Sequence, residues 1–295
     1  MRNVTLEELL EAGCHFGHQV TRQNPKARDY IFEARDNINI IDLEKTKEGL
    51  DEAQAYVKKI ASEGKIMVIL GTKRQAGSLV KDEIARAKKE GVDGLYVVTN
   101  RWIGGILTNF AEISKNFKRI KQLDDIFVSS TERAKYTKKE LLLFEREKQK
   151  LESFYGGIAS LDRLPDALFV IDTHLENLAV REAIAMNVPV VGITDTNADP
   201  TVINYAIPAN DDAVGSIKLI TSAMVDAWIE GRKNAKNAKE EQLTKDTKEQ
   251  VTNDTKQEKS TKSEEKIKEI ETLKKSTSRK TRKTATDEER AEESK

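Results

Sequence analysis

The sequence predicts an α/β fold with a doubly wound, mostly parallel sheet of the flavodoxin-like or Rossmann-like kind. Three observations support this prediction: short apolar runs alternate with amphipathic stretches of helical length, a helical segment near the middle of the chain has a heptad pattern, and the residues after 231 lack core-forming types. Strands that alternate with helices in this way are typical of a parallel sheet with helices on both faces. The other two features predict an inserted helical hairpin and a disordered charged C-terminal tail.

The elements of the predicted α/β domain can be assigned in chain order. Thr5 and Glu8 form a capping box at the start of a short helix that stops at Gly13. Two strand-like runs flank a turn at 35–37 and precede a long amphipathic helix. This helix is predicted over 43–62, and later helices are predicted over 74–90, 176–187 and 212–230. Continuous apolar runs predict buried strands over 65–72, 94–99, 167–172 and 188–194, with a short extended segment at 205–208.

Two stretches between residues 105 and 156 have the spacing of a coiled coil. Apolar residues recur mostly in steps of three and four along both stretches, and a polar loop at 128–133 separates them. Two such helices joined by a short loop form an antiparallel coiled-coil hairpin. We therefore expect 105–156 to be an insertion into an α/β domain that is built from 1–104 and 157–231. The seam residues are Ile106, Phe110, Ile113, Phe117, Ile120 and Phe127 in the first helix, and Leu141, Phe144, Lys148, Leu151 and Tyr155 in the second.

The last 64 residues, 232–295, differ in composition from the rest of the chain. They contain 19 basic and 15 acidic residues, no aromatic residue and only five of valine, isoleucine or leucine. A segment of this kind cannot bury enough apolar area to offset the entropy lost on ordering. We predict that it is a disordered charged tail and that the folded protein comprises residues 1–231.

Composition and charge exclude several classes of protein. Lysine plus arginine and aspartate plus glutamate number 50 each, and this zero net charge argues against a protein that coats nucleic acid by bulk charge. No window approaches the roughly 18 consecutive apolar residues of a spanning helix, so no membrane partner is expected. The single cysteine cannot form an internal disulfide and fits the reducing cytoplasm, where we expect the protein to be.

The loop after the first buried strand is where a nucleotide-dependent enzyme of this fold would bind phosphate. Here it reads GTKRQAGS over 71–78, which contains neither of the two glycine-rich phosphate-binding motifs. Cations without that backbone geometry suit a nucleic-acid backbone better than a small ligand. We therefore expect no cofactor, no catalytic residues and no small-molecule substrate. The alternative hypothesis is an α/β enzyme that acts on a phosphorylated metabolite.

Cys14, His15 and His18 form the one sequence cluster that resembles metal chemistry. Thiolate and imidazole are good zinc ligands, but a closed site needs four ligands, and the remaining histidine is the distant His174. The other interpretation is a turn in which flanking glycines set the backbone and the histidines hydrogen-bond or stack. We favour the turn and expect no metal at these three residues.

Basic residues concentrate between positions 115 and 139, where eight lysines and arginines stand against three acidic residues. A positive hairpin on a neutral body is an electrostatic footprint for RNA, although solvated helix faces with intrahelical ion pairs have the same composition. Further cations occur near the N-terminus and after predicted strands, and one tryptophan beside them could stack on a base. The residues expected to contact RNA are Arg22, Lys26, Arg28, Lys73, Arg74, Arg101, Trp102, Lys115, Lys118, Arg119 and Lys121.

The segment 162–212 is acidic, with nine carboxylates against two arginines. It could be a docking face for a basic partner or a solvated acidic surface. Asp195, Asp199, Asp211 and Asp212 within it also invite an acid–base or magnesium interpretation. The same residues fit a turn at 195–200 and the cap of the helix that follows, so the sequence leaves these alternatives open.

Several segments, taken in order, resemble the S-two family of bacterial small-subunit ribosomal proteins. They include LLEAGCHFGHQ at 9–19, GTKRQA at 71–76, NRWIGGILTNF at 100–110, LPDALFVID at 164–172, DTNADP at 195–200 and IPANDDA at 207–213. The similarity covers essentially all of 1–231, including the helical insertion. Departures from the family pattern at Cys14, Gln23 and His174 weaken any metal or local RNA contact carried over from it.

The resemblance implies a structural constituent of the small ribosomal subunit. It implies binding to small-subunit ribosomal RNA near the head–body junction, support for docking of the large first protein of that subunit, and contact with other small-subunit proteins in the cytoplasmic ribosome. Composition and periodicity are compatible with this function but do not themselves indicate it.

Overall fold

The computed structural model describes residues 2–236 and contains two sheets. None of the described helices is long and apolar enough to cross a membrane. The strands are β1 (Phe16–Gln19), β2 (Ile31–Arg35), β3 (Ile38–Ile41), β4 (Met67–Leu70), β5 (Leu95–Val98), β6 (Ala167–Ile171), β7 (Val190–Thr194) and β8 (Tyr205–Pro208). The helices are α1 (Leu6–Glu11), α2 (Leu43–Ser62), α3 (Ala76–Lys89), α4 (Phe110–Val128), α5 (Ser130–Arg133), α6 (Lys138–Tyr155), α7 (Asn177–Ala185) and α8 (214–236).

The larger sheet is parallel throughout and has the strand order β5-β4-β6-β7-β8. The chain passes from β4 to β5 on one side and then crosses to β6 on the other side of β4, so the direction of winding reverses between β4 and β6. In a doubly wound sheet this reversal is the topological switch point, where the carboxyl ends of two strands open a crevice. The predicted α/β class and parallel sheet are confirmed.

Both faces of this sheet are covered by apolar cores. Met67 and Ile69 of β4 lie in a core with residues of α2, α3 and α8, whereas Val68 and Leu70 lie in a second core with residues of α4 and α7. The alternation follows from the pleat, which points successive side chains to opposite faces. Because both faces are buried, the strand sequences are continuous apolar runs, and this is why they are recognisable in the sequence.

The smaller sheet is antiparallel and has the order β1-β3-β2. Asp36 and Asn37 have φ values of 50° and 63°, which is the left-handed conformation that a two-residue hairpin turn requires. The predicted turn at 35–37 therefore joins β2 to β3. β1 is a correction to the turn predicted around residues 14–18, because Phe16 pairs with Ile40 and the histidines that follow Cys14 lie in or beside a strand.

The segment between β5 and β6 contains two long helices, α4 and α6, connected through α5. The rings of Phe117 and Tyr155 meet edge to face with centroids 5.8 Å apart, and Lys148 Nζ lies 2.5 Å from Asp124. These contacts pair α4 with α6, while the coiled-coil geometry of the pair stays a prediction. α4 begins at Phe110 rather than near Ile106, which instead lies in a buried turn of the second core.

The two long helices are not equally buried. In α6 Tyr155 alone is buried, and Leu142 and Leu143 are 48% and 52% exposed. The predicted seam also passes over Leu123, which is fully buried, because it steps directly from position 120 to position 127. The residues that α4 buries are Ile113, Phe117, Ile120 and Leu123.

The last helix continues past residue 231 to residue 236. Arg232 lies over the ring of Trp228, 5.1 Å from its centroid, and donates to the carbonyl of Lys65. Lys233 pairs with Glu90 at 2.7 Å. The predicted tail boundary therefore falls inside α8, because basic side chains bind carbonyls and carboxylates of neighbouring segments where apolar residues have ended. The rest of the predicted tail lies outside the described residues.

Two truncations should separate the helix end from the tail. A chain that ends at Lys236 should keep the thermal midpoint within a few degrees of the full chain, because residues 237–295 are poor in core-forming types. A chain that ends at Gly231 should melt lower, because it loses the contacts of Arg232 and Lys233. Thermal unfolding followed by circular dichroism compares the two chains. Equal midpoints, or a non-cooperative melt of the chain that ends at Lys236, would contradict this account.

Candidate functional site

The switch point contains a lysine surrounded by carboxylates. Lys73 follows β4, Asp172 follows β6, and Asp211 and Asp212 follow β8, so all four lie at the carboxyl edge of the sheet. Lys73 Nζ is 2.8 Å from Asp172 Oδ2 and 2.7 Å from one oxygen each of Asp211 and Asp212. Burial alone would lower the pKa of Lys73, but the three carboxylates raise it. The ammonium is therefore fixed in its charged form.

Asp172 has a backbone conformation that non-glycine residues rarely adopt, with a φ of 71°. Its Oδ1 accepts the backbone N–H groups of His174 at 3.0 Å and Leu175 at 2.8 Å. Its Oδ2 faces Lys73 at 2.8 Å. The side chain thus accepts hydrogen bonds from the N–H groups of the turn after β6 and also contributes to the charge cluster. These two roles account for an aspartate at this strained position.

His18 reaches the same edge of the sheet from β1. Its backbone N–H lies 3.2 Å from Asp195 Oδ1 and 2.9 Å from Thr196 Oγ1, and its Nδ1 lies 3.1 Å from Asp195 Oδ2. The hydrogen bond with Asp195 raises the pKa of His18, against the effect of burial. The approach requires glycine at the preceding position, because a Cβ on Gly17 would come within 2.6 Å of the Thr196 side chain.

Asp211 is fully buried, with 0% of its side chain exposed. Its Oδ1 accepts from Lys73, while its Oδ2 has no hydrogen-bond partner among the described residues. Burial and the nearby charges of Asp172 and Asp195 raise the pKa of Asp211 to about 7, although Lys73 opposes the shift. The cluster therefore contains more negative charge than its single lysine can neutralise.

The sequence cluster of Cys14, His15 and His18 does not converge on one point. Cys14 is buried in the first core, and burial raises the pKa of its thiol. The ring of His15 packs on Phe16 with centroids 4.0 Å apart and ring planes tilted by 41°. In the described part of the chain, His18 instead has Asp195, Asp211 and Asp212 as its neighbours with ligand atoms.

The acidic excess of segment 162–212 lies mostly inside the protein. Both interpretations of its sequence, a docking face and a solvated face, placed the carboxylates at the surface, and the structure corrects them. Buried carboxylates require hydrogen bonds or ion pairs, and neighbouring elements supply these here. The five buried residues of this group are Asp172, Glu176, Glu182, Asp195 and Asp211.

Glu182 of α7 anchors the turn that leads into the helical insertion. Its Oε1 accepts the indole N–H of Trp102 at 3.2 Å and the backbone N–H of Gly105 at 2.8 Å. Its Oε2 accepts the backbone N–H groups of Leu107 at 3.1 Å and Thr108 at 3.3 Å. Burial would raise the pKa of Glu182, but these four donors hold it below its ordinary value. Sequence reasoning missed this residue, although its position three residues after the buried Ala179 places it on the apolar face of α7.

The structure divides the predicted RNA-contacting residues into engaged and exposed groups. Lys73 is bound by three carboxylates, and Trp102 is 4% exposed with its indole N–H on Glu182, so neither is presented to a ligand. Arg119 makes two hydrogen bonds to Glu147, at 2.8 Å and 2.9 Å, across the helix pair. The exposed residues are Arg22, Lys26, Arg28, Arg74, Arg101, Lys115, Lys118 and Lys121.

Two of the exposed cations have acidic partners. Lys26 pairs with Asp199 at 2.6 Å, and Lys115 pairs with Glu112 at 2.7 Å. The others make no ion pair within the described residues, and they are Arg22, Arg28, Arg74, Arg101, Lys118 and Lys121. These six side chains are the part of the predicted basic surface that is free to bind an anion.

Replacing Glu182 with glutamine should destabilise the protein by about 2–4 kcal/mol, because an amide offers one acceptor oxygen where four donors, two of them buried, now have two. Urea unfolding would measure the change. Glu145→Gln on the exposed face of α6 is the matched control and should leave the free energy of unfolding nearly unchanged. Equal stability of the two variants would show that Glu182 is not an anchor.

The effect of Glu182→Gln should depend on pH. The pKa of Glu182 is lowered in the folded protein, so its charge stabilises the fold fully above the ordinary value of 4.5 and less as the pH falls through the lowered value. The difference in unfolding free energy between the natural chain and Glu182→Gln should therefore shrink below pH 4.5. A difference that stays constant from neutral to acidic pH would contradict this.

Comparison with known proteins identifies the protein family that this chain resembles. The sequence profile of the family described as ribosomal protein S2 matches residues 9–231. The small ribosomal subunit protein uS2 of Geotalea uraniireducens (strain Rf4) is 48% identical over 239 residues, which cover 81% of this chain and 90% of that protein. The uS2 protein of Acidobacterium capsulatum is 45% identical over 234 residues, covering 78% of this chain and 74% of that protein.

The chain belongs to the ribosomal protein S2 family. The resemblance seen in the sequence motifs is thereby confirmed, and so are the predictions of a ribosomal protein rather than an enzyme and of a place in the cytoplasmic ribosome, which rest on these relatives. The match ends at residue 231, where the charged composition begins, whereas α8 continues to residue 236.

Proposed function

We propose that this protein binds small-subunit ribosomal RNA near the head–body junction, through exposed cations on its loops and on α4, and that it supports docking of the first small-subunit protein. The observation that carries the proposal is the family match over residues 9–231, together with relatives named as small ribosomal subunit proteins. The docking role and the location derive from the family resemblance. The RNA contacts can be argued from the structure.

The loop cations form the first part of the proposed RNA surface. Arg22 and Arg28 lie in the irregular segment between β1 and β2, Arg74 follows β4, and Arg101 follows β5. Each is exposed and makes no ion pair within the described residues. Arginine donors suit phosphate oxygens and can stack on unpaired bases, so these residues are equipped for a backbone contact.

The second part is the basic face of α4. Lys115, Lys118 and Lys121 are all exposed and follow one another at intervals of three, so they lie on neighbouring positions of one helix surface. Arg119 belongs to the contact with α6 rather than to this face, since Glu147 holds it in two hydrogen bonds. We propose that the three lysines contact RNA and that Arg119 stabilises the pairing of α4 with α6.

Three of the residues that the sequence predicted to contact RNA should contribute little or nothing to RNA binding. Lys26 is exposed but paired with Asp199, so phosphate would have to compete with that carboxylate. Lys73 and Trp102 are engaged inside the protein, by three carboxylates and by Glu182. We expect these two to support the loops that carry Arg74 and Arg101 rather than to touch RNA themselves.

The charge of the switch point argues against the alternative of an enzyme acting on a phosphorylated metabolite. Ligands of doubly wound folds bind at this edge. Here Asp172, Asp211 and Asp212 surround the lysine that would otherwise meet a phosphate. Co-sedimentation of the purified chain with small subunits through a sucrose gradient tests the ribosomal function. Absence from the subunit peak, with saturable nucleotide turnover, would favour the enzyme instead.

Removing the charges of Lys118 and Lys121 should weaken RNA binding without unfolding the hairpin. Glutamine has nearly the helix propensity of lysine, so the double change to glutamine should alter the unfolding free energy by less than about 1 kcal/mol. If both lysines touch phosphate, the slope of log affinity against log salt should fall by between about one and two units. Filter binding to small-subunit ribosomal RNA at several salt concentrations gives that slope.

Two further variants serve as controls for this experiment. Lys88→Gln with Lys89→Gln removes the same charge from exposed positions of α3 and should leave the slope unchanged. Arg119→Gln should lower the stability of the helix pair by up to about 1 kcal/mol and affect RNA binding less. If the Lys118/Lys121 and Lys88/Lys89 variants have the same salt slope, α4 is not part of the RNA-binding surface.

A further inference from the structure

The side of α6 that faces away from α4 combines cations with exposed leucines. Glu147, Lys148 and Tyr155 of α6 make the contacts with α4 described above. At about 100° of turn per residue, the positions opposite these three fill an arc of roughly 140° in which α6 has no carboxylate. We call this arc the outer face of α6, and its large side chains are Lys138, Lys139, Leu142, Leu143, Arg146 and Lys150.

The cations of the outer face are not neutralised by the protein itself. Each of them is exposed, and none makes an ion pair within the described residues. Like charges at neighbouring positions of a helix repel one another, so a row of them without counter-charges favours an anionic partner. These cations are Lys138, Lys139, Arg146 and Lys150.

Two leucines among these cations indicate which kind of anionic partner fits. Leu142 and Leu143 are 48% and 52% exposed. RNA phosphates are bound by polar and charged donors, whereas a protein partner can also bury the leucines, which is favourable. On α4 the range 115–121, which carries the lysines proposed for RNA, has no exposed large apolar side chain. The outer face of α6 therefore suits an acidic protein segment better than it suits RNA.

The order of these groups along α6 fits a partner helix. Lys139 lies one turn before the leucines, Arg146 lies one turn after them, and Lys150 follows one turn later. The surface is therefore an apolar centre with positive charge on both sides of it. An amphipathic helix with a stripe of apolar residues and carboxylates beside the stripe has the complementary pattern.

We propose that the outer face of α6 docks an acidic amphipathic helix of another protein. Apolar residues of that helix pack on Leu142 and Leu143, and its carboxylates pair with the surrounding cations. The helical hairpin then contacts RNA through α4 and protein through α6. The proposal goes beyond the RNA-binding function, and it can be tested separately because it uses residues outside the proposed RNA surface.

The experiment measures binding of a labelled synthetic peptide to the purified full chain by fluorescence anisotropy. The peptide has three heptads with leucine at positions a and d and glutamate at positions e and g, where repulsion between glutamates keeps it from pairing with itself. It should bind saturably at constant salt. A peptide with glutamine in place of every leucine, and one with lysine in place of every glutamate, should each bind more than about tenfold more weakly.

Two pairs of substitutions locate the peptide on the outer face. Leu142→Gln with Leu143→Gln should weaken peptide binding by more than about fivefold and leave the affinity for small-subunit ribosomal RNA and its salt slope unchanged. Lys139→Gln with Arg146→Gln should weaken peptide binding by a similar factor. All four positions are exposed and glutamine is a good helix former, so circular dichroism should show both variants folded.

The matched control removes the same charge from the other helix of the hairpin. Lys118→Gln with Lys121→Gln should bind the peptide as the natural chain does. The proposal is overturned if the natural chain binds the leucine-free peptide as tightly as the leucine peptide, or if the leucine substitutions leave peptide binding unchanged. It is also overturned if Lys139→Gln with Arg146→Gln lowers the RNA salt slope without weakening peptide binding, because the outer face would then contact RNA.

Discussion

The direction in which the helical insertion leaves the sheet depends on one buried carboxylate. Glu182 accepts hydrogen bonds from the turn that connects β5 to α4, and it does so from α7, a helix packed in the second core. Without such an acceptor, a buried turn would leave its N–H groups unsatisfied. The base of α4 is thus set by the core of the α/β domain, and the lysines farther along α4 are presented in a direction that the pairing with α6 alone would not fix.

Five acidic residues are buried in the described part of the chain, whereas no lysine or arginine there is, and the zero net charge conceals this difference. Carboxylates such as Asp211 and Glu182 lie inside, where they bind a lysine, an indole or backbone donors. Cations such as Arg101 and Lys118 lie outside and make no ion pair within the described residues. A surface potential more positive than the composition suggests follows from this separation. A neutral chain can in this way have a basic surface for a polyanion.

Much of the fold could be predicted from the sequence because its strands are buried on both faces. The runs at β4, β6 and β7 are continuous and apolar, so these strands could be assigned from the sequence. β1 could not be predicted, since its four residues are partly exposed and include no continuous apolar run. The start of α4 was misplaced because Ile106 continues the spacing of the helix while lying in a turn.

The candidate site was harder to predict, because its contacts join residues that are far apart in the sequence. Cys14 and His15 are the nearest ligand types to His18, so proximity in sequence suggested a metal cluster that the fold does not bring together. The exposed lysines of α4 were predictable from charge. The engagement of Lys73 was not, because all three of its carboxylates follow other strands.

The pairing of β1 with the far end of the domain has a consequence for the order of folding during synthesis. The amide of His18 donates to Thr196, 178 positions later, and the amide of Ile66, just before β4, donates to Asp166, 100 positions later. Closing loops of this length loses chain entropy that only late contacts can offset. While the chain emerges, the N-terminal strand therefore waits for nearly the whole domain to be made. The contact between β1 and the parallel sheet is therefore among the last that the emerging chain can make.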